Sequence, residues 1–177
     1  VICSEIQNWT VHFIPMPPWV ARYFGEQFNI KGGPIGAFFA LAVVAPVAEE
    51  FLCRRWLLES LLRRMSPFAA VCVSAFIFGL MHMNPWQFFY ATVLGLGIGW
   101  LYWRSRSVGL CILWHAINNA LVFLFYYWTP NIEGFGARPA GLVEFQPVWL
   151  TGAGCILLLV GIVVVRQQPR PNLALPA

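Results

Sequence analysis

The chain contains no aspartate, and Lys31 is its single lysine. The first absence removes any paired-aspartate acid–base site. The second removes a serine–lysine dyad from the apolar interior, because Lys31 precedes the first long hydrophobic run. Charge of either sign is scarce, at 10% of residues against roughly 25% in soluble globular domains. A chain this poor in charge and 59% hydrophobic belongs in a bilayer. No basic run exceeds two residues, so the net charge of +4 is an orientation signal and no nucleic-acid partner is expected. The five cysteines, at positions 3, 53, 72, 111 and 155, form no Cys-x-x-Cys pair. Their spacing supplies neither a disulfide framework nor a thiolate zinc site, and most sit in apolar runs, where free cysteine behaves as a small hydrophobe. A His-Glu-x-x-His zinc helix and a Gly-x-Ser-x-Gly elbow are also missing, and no cleavable signal peptide is visible in these residues.

What is present predicts an all-α polytopic transmembrane helix bundle with about five clear spans of roughly 20 residues each. Residues 1–34 are broken by Pro15, Pro17, Pro18, Pro34 and Gly32-Gly33. They are expected to form an interfacial segment or a partial span. The helical core is expected over residues 35–165. Its spans run Ile35–Arg64, Phe68–Asn84, Trp86–Trp103, Val108–Trp128 and Val148–Val165. Ser66-Pro67 marks one turn and Asn84-Pro85 another. Gly95 and Gly99 give the third span a small-xxx-small packing face. Residues 166–177, with three prolines, are expected to be a disordered tail. Arg55, Arg63, Arg64, Arg104, Arg106, Arg166 and Arg170 fall on one side of this topology; Arg22, Lys31 and Arg138 fall on the other, beside Glu5, Glu26, Glu133 and Glu144. By the positive-inside rule the C-terminus is cytoplasmic.

Within the first span stands Glu49-Glu50-Phe51-Leu52-Cys53-Arg54, after fourteen residues without charge. Ionisable groups inside a membrane are expensive and mark function by default. Glu50 and Arg54, at i and i+4, are placed to pair, while Glu49 points about 100° away toward some other partner. Candidates are His82, His115, Asn118 and Asn119, with Ser74 and Thr92 weaker. Glu49 and His82 lie equally far from the turn between the first two spans, roughly 24 Å above it at 1.5 Å per residue. His115 and Asn119 lie roughly 15 and 21 Å above the turn between the third and fourth spans, and at i and i+4 they share a face. Four polar groups are therefore expected to converge in one buried pocket.

A desolvated glutamate and histidine together can hold and deprotonate a water, and a second histidine with a carboxamide suits an oxyanion. The constellation points to hydrolysis of an acyl bond, most plausibly a peptide, by water directly. A zinc site built from Glu49, His82 and His115 is geometrically open at this stage. So is a non-catalytic membrane protein that keeps the cluster for helix packing. A proton-relay transporter is disfavoured, because neither inverted repeats nor paired broken helices are evident.

Glu49-Glu50-x-x-x-Arg54, Phe78-x-x-x-His82 and His115-x-x-x-Asn119, in order on successive hydrophobic runs, resemble the CPBP family of CAAX prenyl endopeptidases and bacteriocin-processing or immunity proteins. The resemblance covers about residues 35–128. It implies a glutamic-type intramembrane endopeptidase without a cofactor, acting on a membrane-associated or lipidated peptide or protein. Glu49 would be the general base and His82 would help hold the water. His115 and Asn119 would form the oxyanion hole, with Glu50 and Arg54 in support and Phe78 a packing residue. It further implies a prokaryotic member in a bacterial plasma membrane. Because relatives usually have more spans, a truncated N-terminus or a minimal member is expected.

Overall fold

Three of the helices open on proline, which lacks the N–H that a first helical turn leaves unused. A computed structural model describes residues 1–28, 33–128, 132–135 and 143–169, and these contain seven helices and no strand. They are α1 (Ile2–Phe13), α2 (Pro18–Gln27), α3 (Gly33–Leu62), α4 (Pro67–Leu80), α5 (Pro85–Ser105), α6 (Val108–Trp128) and α7 (Val148–Gln167). Ser66 caps α4 by accepting from the backbone N–H of Ala69 at 3.4 Å. Asn84 caps α5 through Gln87 at 2.8 Å. Arg106, with φ of 54°, ends α5 in the left-handed conformation.

The chain is an integral membrane protein with an all-helical, polytopic architecture. α3, α6 and α7 are long and apolar enough to cross a bilayer. α4 is a shorter apolar helix of 14 residues, and α5 has 21 residues. Residues 1–28, within the segment expected to be interfacial or a partial span, form α1 and α2, separated at Ile14–Pro17 where prolines fall. At 12 and 10 residues these are about 18 and 15 Å long, short of a roughly 30 Å hydrocarbon core. α7 continues two residues beyond the expected Val165. Residues 170–177 of the expected tail, and Lys31, Arg138 and Arg170 of the charge pattern, lie outside the described residues.

The core lies between α3, α4, α5 and α6, where Leu58, Ala70, Val71, Leu94, Ile98, Tyr102 and Cys111 pack together. Glycine on α5 lets α4 approach closely. A β-carbon at Gly95 would stand 3.1 Å from the Cα of Ala75, and one at Gly99 3.3 Å from Val71. The expected small-residue face is therefore the α4–α5 seam. At the inner-loop end, Glu59 accepts from Tyr102 at 2.9 Å and Arg106 at 2.8 Å, tying α3 to α5.

α3 is not uniform. Ala40–Val44 and Phe51–Leu58 are π-helical, and the α-helical segment Ala45–Glu50 stands between them. Such stretches frequently mark functional sites. Here they bracket the two adjacent glutamates.

Candidate active site

Glu49 and Glu50 end the α-helical segment of α3 side by side, yet they occupy different surroundings. Glu50 is fully buried. Its Oε1 accepts from His115 Nδ1 at 2.8 Å, and its Oε2 lies 2.9 Å from Arg54 Nε. That second contact is off the N–H direction, which makes it Coulombic rather than an aligned hydrogen bond. The pairing expected from the i,i+4 spacing is present. The second partner, His115 on α6, is an addition to it.

Arg54 is also wholly buried. Its Nη2 donates to the carbonyl of Gly95 at 3.3 Å, and its guanidinium lies 4.8 Å from the centroid of the Phe78 ring. Phe78 in turn stands edge-on to His82 and His115, at centroid distances of 5.3 and 5.7 Å. One aromatic ring thus spaces the cation and both histidines.

Glu49 keeps 30% of its side-chain surface and faces a cavity of about 530 Å³. His82, His115, Asn118 and Asn119 line the same cavity, so the four expected residues converge. His115 Nε2 lies 3.8 Å from Glu49 Oε2. One imidazole therefore spans both carboxylates, Nδ1 on the sealed one and Nε2 toward the open one. His82 Nδ1 is 3.0 Å from the carbonyl of Phe78. A carbonyl only accepts, so Nδ1 carries the hydrogen, and in the neutral ring Nε2 is the accepting nitrogen.

The position of His82 differs from expectation in one respect. α4 ends at Leu80, and His82 sits in the turn before α5. Asn84 is extended, as a residue preceding proline should be, and Met83 has φ of 54°. These two conformations end the helix four residues before the expected boundary. Asn119 Nδ2 donates to the carbonyl of Leu41 at 2.9 Å, and its Oδ1 accepts from Asn118 at 3.2 Å. Ser74 does not join the cavity; it donates to the carbonyl of Cys53 at 3.3 Å. Thr92 bonds its own helix at the carbonyl of Phe88. Among the described residues no three His, Cys, Asp or Glu side chains come together as a metal-holding group.

The rest of the cavity wall was not foreseen. Ser4, Gln7 and Asn8 of α1 and Gln87 and Tyr90 of α5 line it, with Phe24 and Phe28 at and beyond the end of α2, and Tyr126 of α6. Gln87 donates to the Tyr90 hydroxyl at 3.2 Å and accepts from Asn84 at 2.7 Å. Phe28 stacks on Tyr126 with centroids 4.2 Å apart, and the Tyr127 hydroxyl donates to the Phe28 carbonyl. The signals were available: Ser4, Gln7, Asn8 and Val11 fall at i, i+3, i+4 and i+7, one helical face, and Gln87 is a polar residue within an apolar run.

The family model described as Type II CAAX prenyl endopeptidase Rce1-like matches residues 31–121, just over half of the chain. A protein of Bacillus subtilis (strain 168) named "Putative membrane peptidase YdiL" is 26% identical over 83 residues, which are 47% of this chain and 34% of that protein. The matched stretch thus spans about a third of that relative's length. No solved structure matches the chain. The family match covers α3, α4, α5 and most of α6, the helices that carry Glu49, Glu50, Arg54, Phe78, His115 and Asn119, and the turn that carries His82. The chain belongs to the Type II CAAX prenyl endopeptidase Rce1-like family.

Proposed function

We propose that this protein is an intramembrane glutamic-type endopeptidase that hydrolyses a peptide bond of a membrane-associated or lipidated substrate by direct attack of water. One observation carries the reading. The open carboxylate of Glu49 shares a cavity with the Nε2-accepting ring of His82 and with His115 and Asn119, while Glu50 is sealed away between Arg54 and His115.

In this reading a water donates one hydrogen to His82 Nε2 and the other to Glu49. Its oxygen attacks the scissile carbonyl carbon as the proton passes to Glu49. The carbonyl oxygen becomes an oxyanion facing His115 Nε2 and the second amide hydrogen of Asn119. As donor, His115 carries hydrogens on both nitrogens, one for Glu50 and one for the oxyanion. When the tetrahedral intermediate collapses, the carbon–nitrogen bond breaks and Glu49 returns the proton to the leaving amine. Glu50 and Arg54 fix the ring of His115 and do not touch the substrate. No step uses a metal or cofactor. The arginine pattern supports a topology with the C-terminal end of α7 on the cytoplasmic side of a bacterial plasma membrane.

Mass-spectrometric comparison of membrane peptides from cells expressing wild type and Glu49→Ala tests the reading. The expected result is a set of peptides produced by wild type and lost in Glu49→Ala and His82→Ala, with all three proteins folded and equally abundant. Identical peptides in the three strains would refute it. A non-catalytic immunity or scaffold role draws on a different observation, that Glu50–His115 and Asn119–Leu41 join α6 to α3 and so serve helix packing as well. Unimpaired protection or partner binding by Glu49→Gln favours that role.

A further inference from the structure

We infer that Pro46 positions Asn119 in the active site by withholding a backbone hydrogen bond. The inference rests on the proposed oxyanion role of Asn119 for its catalytic half, and on geometry alone for its structural half.

In the π-helical segment of α3 each N–H reaches back five residues, and the N–H of Ala45 accordingly donates to the carbonyl of Ala40. The next donor in that register is residue 46 and the next acceptor is the carbonyl of Leu41. Residue 46 is proline and has no N–H. The Leu41 carbonyl is left without its backbone partner, inside a membrane-spanning helix where an unmatched carbonyl is costly. Asn119 reaches across from α6 and donates to it at 2.9 Å. Pro46 itself is buried.

The consequence falls on the asparagine. Its carboxamide plane is held at both ends, Nδ2–H on Leu41 and Oδ1 on Asn118. A primary amide has two hydrogens, so a single one is left, in a fixed direction on the side chain that lines the cavity. A donor held before the reaction needs no reorganisation when charge develops. Pro46 acts on the reaction through Asn119 and is a positioning residue.

Pro46→Ala restores a donor to α3. If the π register persists, the new N–H at position 46 donates to Leu41; if the helix reverts to α register, the N–H of Ala45 donates to Leu41 instead. Either way the carbonyl gains a backbone partner, and the need that holds Asn119 on it is weakened. The test is a cycle of wild type, Pro46→Ala, Asn119→Ala and the double variant, purified in detergent. In thermal unfolding, Asn119→Ala is expected to lower the Tm by about 3–8 °C in the wild-type background and by clearly less in the Pro46→Ala background, where the bond from Asn118 is the part still lost. Equal losses in both backgrounds would overturn the inference, whatever the activity.

The catalytic half is read with the peptide whose cleavage depends on Glu49. Pro46→Ala should lower kcat about 10²-fold with KM retained, and Asn119→Ala should add little further loss once Pro46→Ala is in place. Unfolding coupling with unchanged kcat in Pro46→Ala would reduce the arrangement to a packing device and overturn the positioning role. Peptides that do not depend on Glu49 would refute the proposed function and remove the catalytic half, while the unfolding cycle still decides the structural half.

Discussion

Replacing Arg54 by methionine isolates the energetics of the sealed carboxylate. Arg54 and Glu50 have side chains of 0% relative exposure. Breaking a buried ion pair from one side costs about 3–5 kcal/mol, chiefly by stranding the remaining charge. Arg54→Met strands Glu50, leaving it His115 Nδ1 as its single polar neighbour of the two. The variant also loses the bond to Gly95 and the contact with Phe78, but these overlap with the pair and are not added separately. Methionine keeps most of the volume and fills irregular gaps, so the cavity contribution stays small. The expected destabilisation is therefore about 3–5 kcal/mol. Adding Glu50→Gln removes the stranded charge and keeps an acceptor for His115, and should return stability to within about 1–2 kcal/mol of wild type. Equilibrium unfolding in mixed dodecyl sulfate micelles, followed by the fluorescence of the nine tryptophans, measures all four proteins. A double variant as unstable as the sum of its singles would refute the reasoning, and so would an Arg54→Met within about 1 kcal/mol of wild type.

Three glycine substitutions compare tightly packed positions with an open one. A β-carbon at Gly79 would meet Thr92 Oγ1 at 2.1 Å and the backbone carbonyl of Phe88 at 2.9 Å, so Gly79→Ala must part α4 from α5. The same unfolding assay should show a loss of about 1–3 kcal/mol. Gly152→Ala, which meets nothing within 4 Å on α7, should be neutral or slightly stabilising. At Gly134, φ is +74° and a β-carbon would lie 2.5 Å from Gln146 Cγ. Gly134→Ala should disrupt the Asn8–Gly134 bond at a cost of about 1–3 kcal/mol, read as faster limited proteolysis between residues 132 and 147.

Much of the site was legible because helix arithmetic reaches that far. Counting from turns placed Glu49, His82, His115 and Asn119 at one depth, and the cavity brings them together. The 100° separation of Glu49 from Glu50 also survives, because both lie in the short α-helical segment between the π stretches. What the arithmetic missed was contact across helices. An i,i+4 rule sees Arg54 as a partner of Glu50 but has no means to see His115 donating to the other oxygen. The π register was hidden for a related reason: a period of 3.6 was assumed throughout α3. Pro46 inside a membrane span was the visible sign, since a proline there always leaves some carbonyl to be matched elsewhere. In residues 1–28 the prolines argue against a regular membrane span, and they fall between α1 and α2 and at the start of α2, two helices each too short to cross a bilayer.

The fastening of α1 has a consequence for the order in which the protein is made. Glu5 accepts from the backbone N–H of Gln146, 141 positions later, and Asn8 donates to Gly134, 126 positions later. Gln146 also donates to the carbonyl of Val1. At roughly 5–20 residues per second, the ribosome needs on the order of ten seconds to deliver those partners after α1 is complete. During that interval α3 to α6 enter the membrane and bring the carboxylates and imidazoles together. α1 can lie against α5 as soon as that helix exists, but its two polar anchors wait for the segment ahead of α7. The side of the cavity built from Ser4, Gln7 and Asn8 is therefore the last to be secured, although it is translated before the carboxylates and imidazoles it faces.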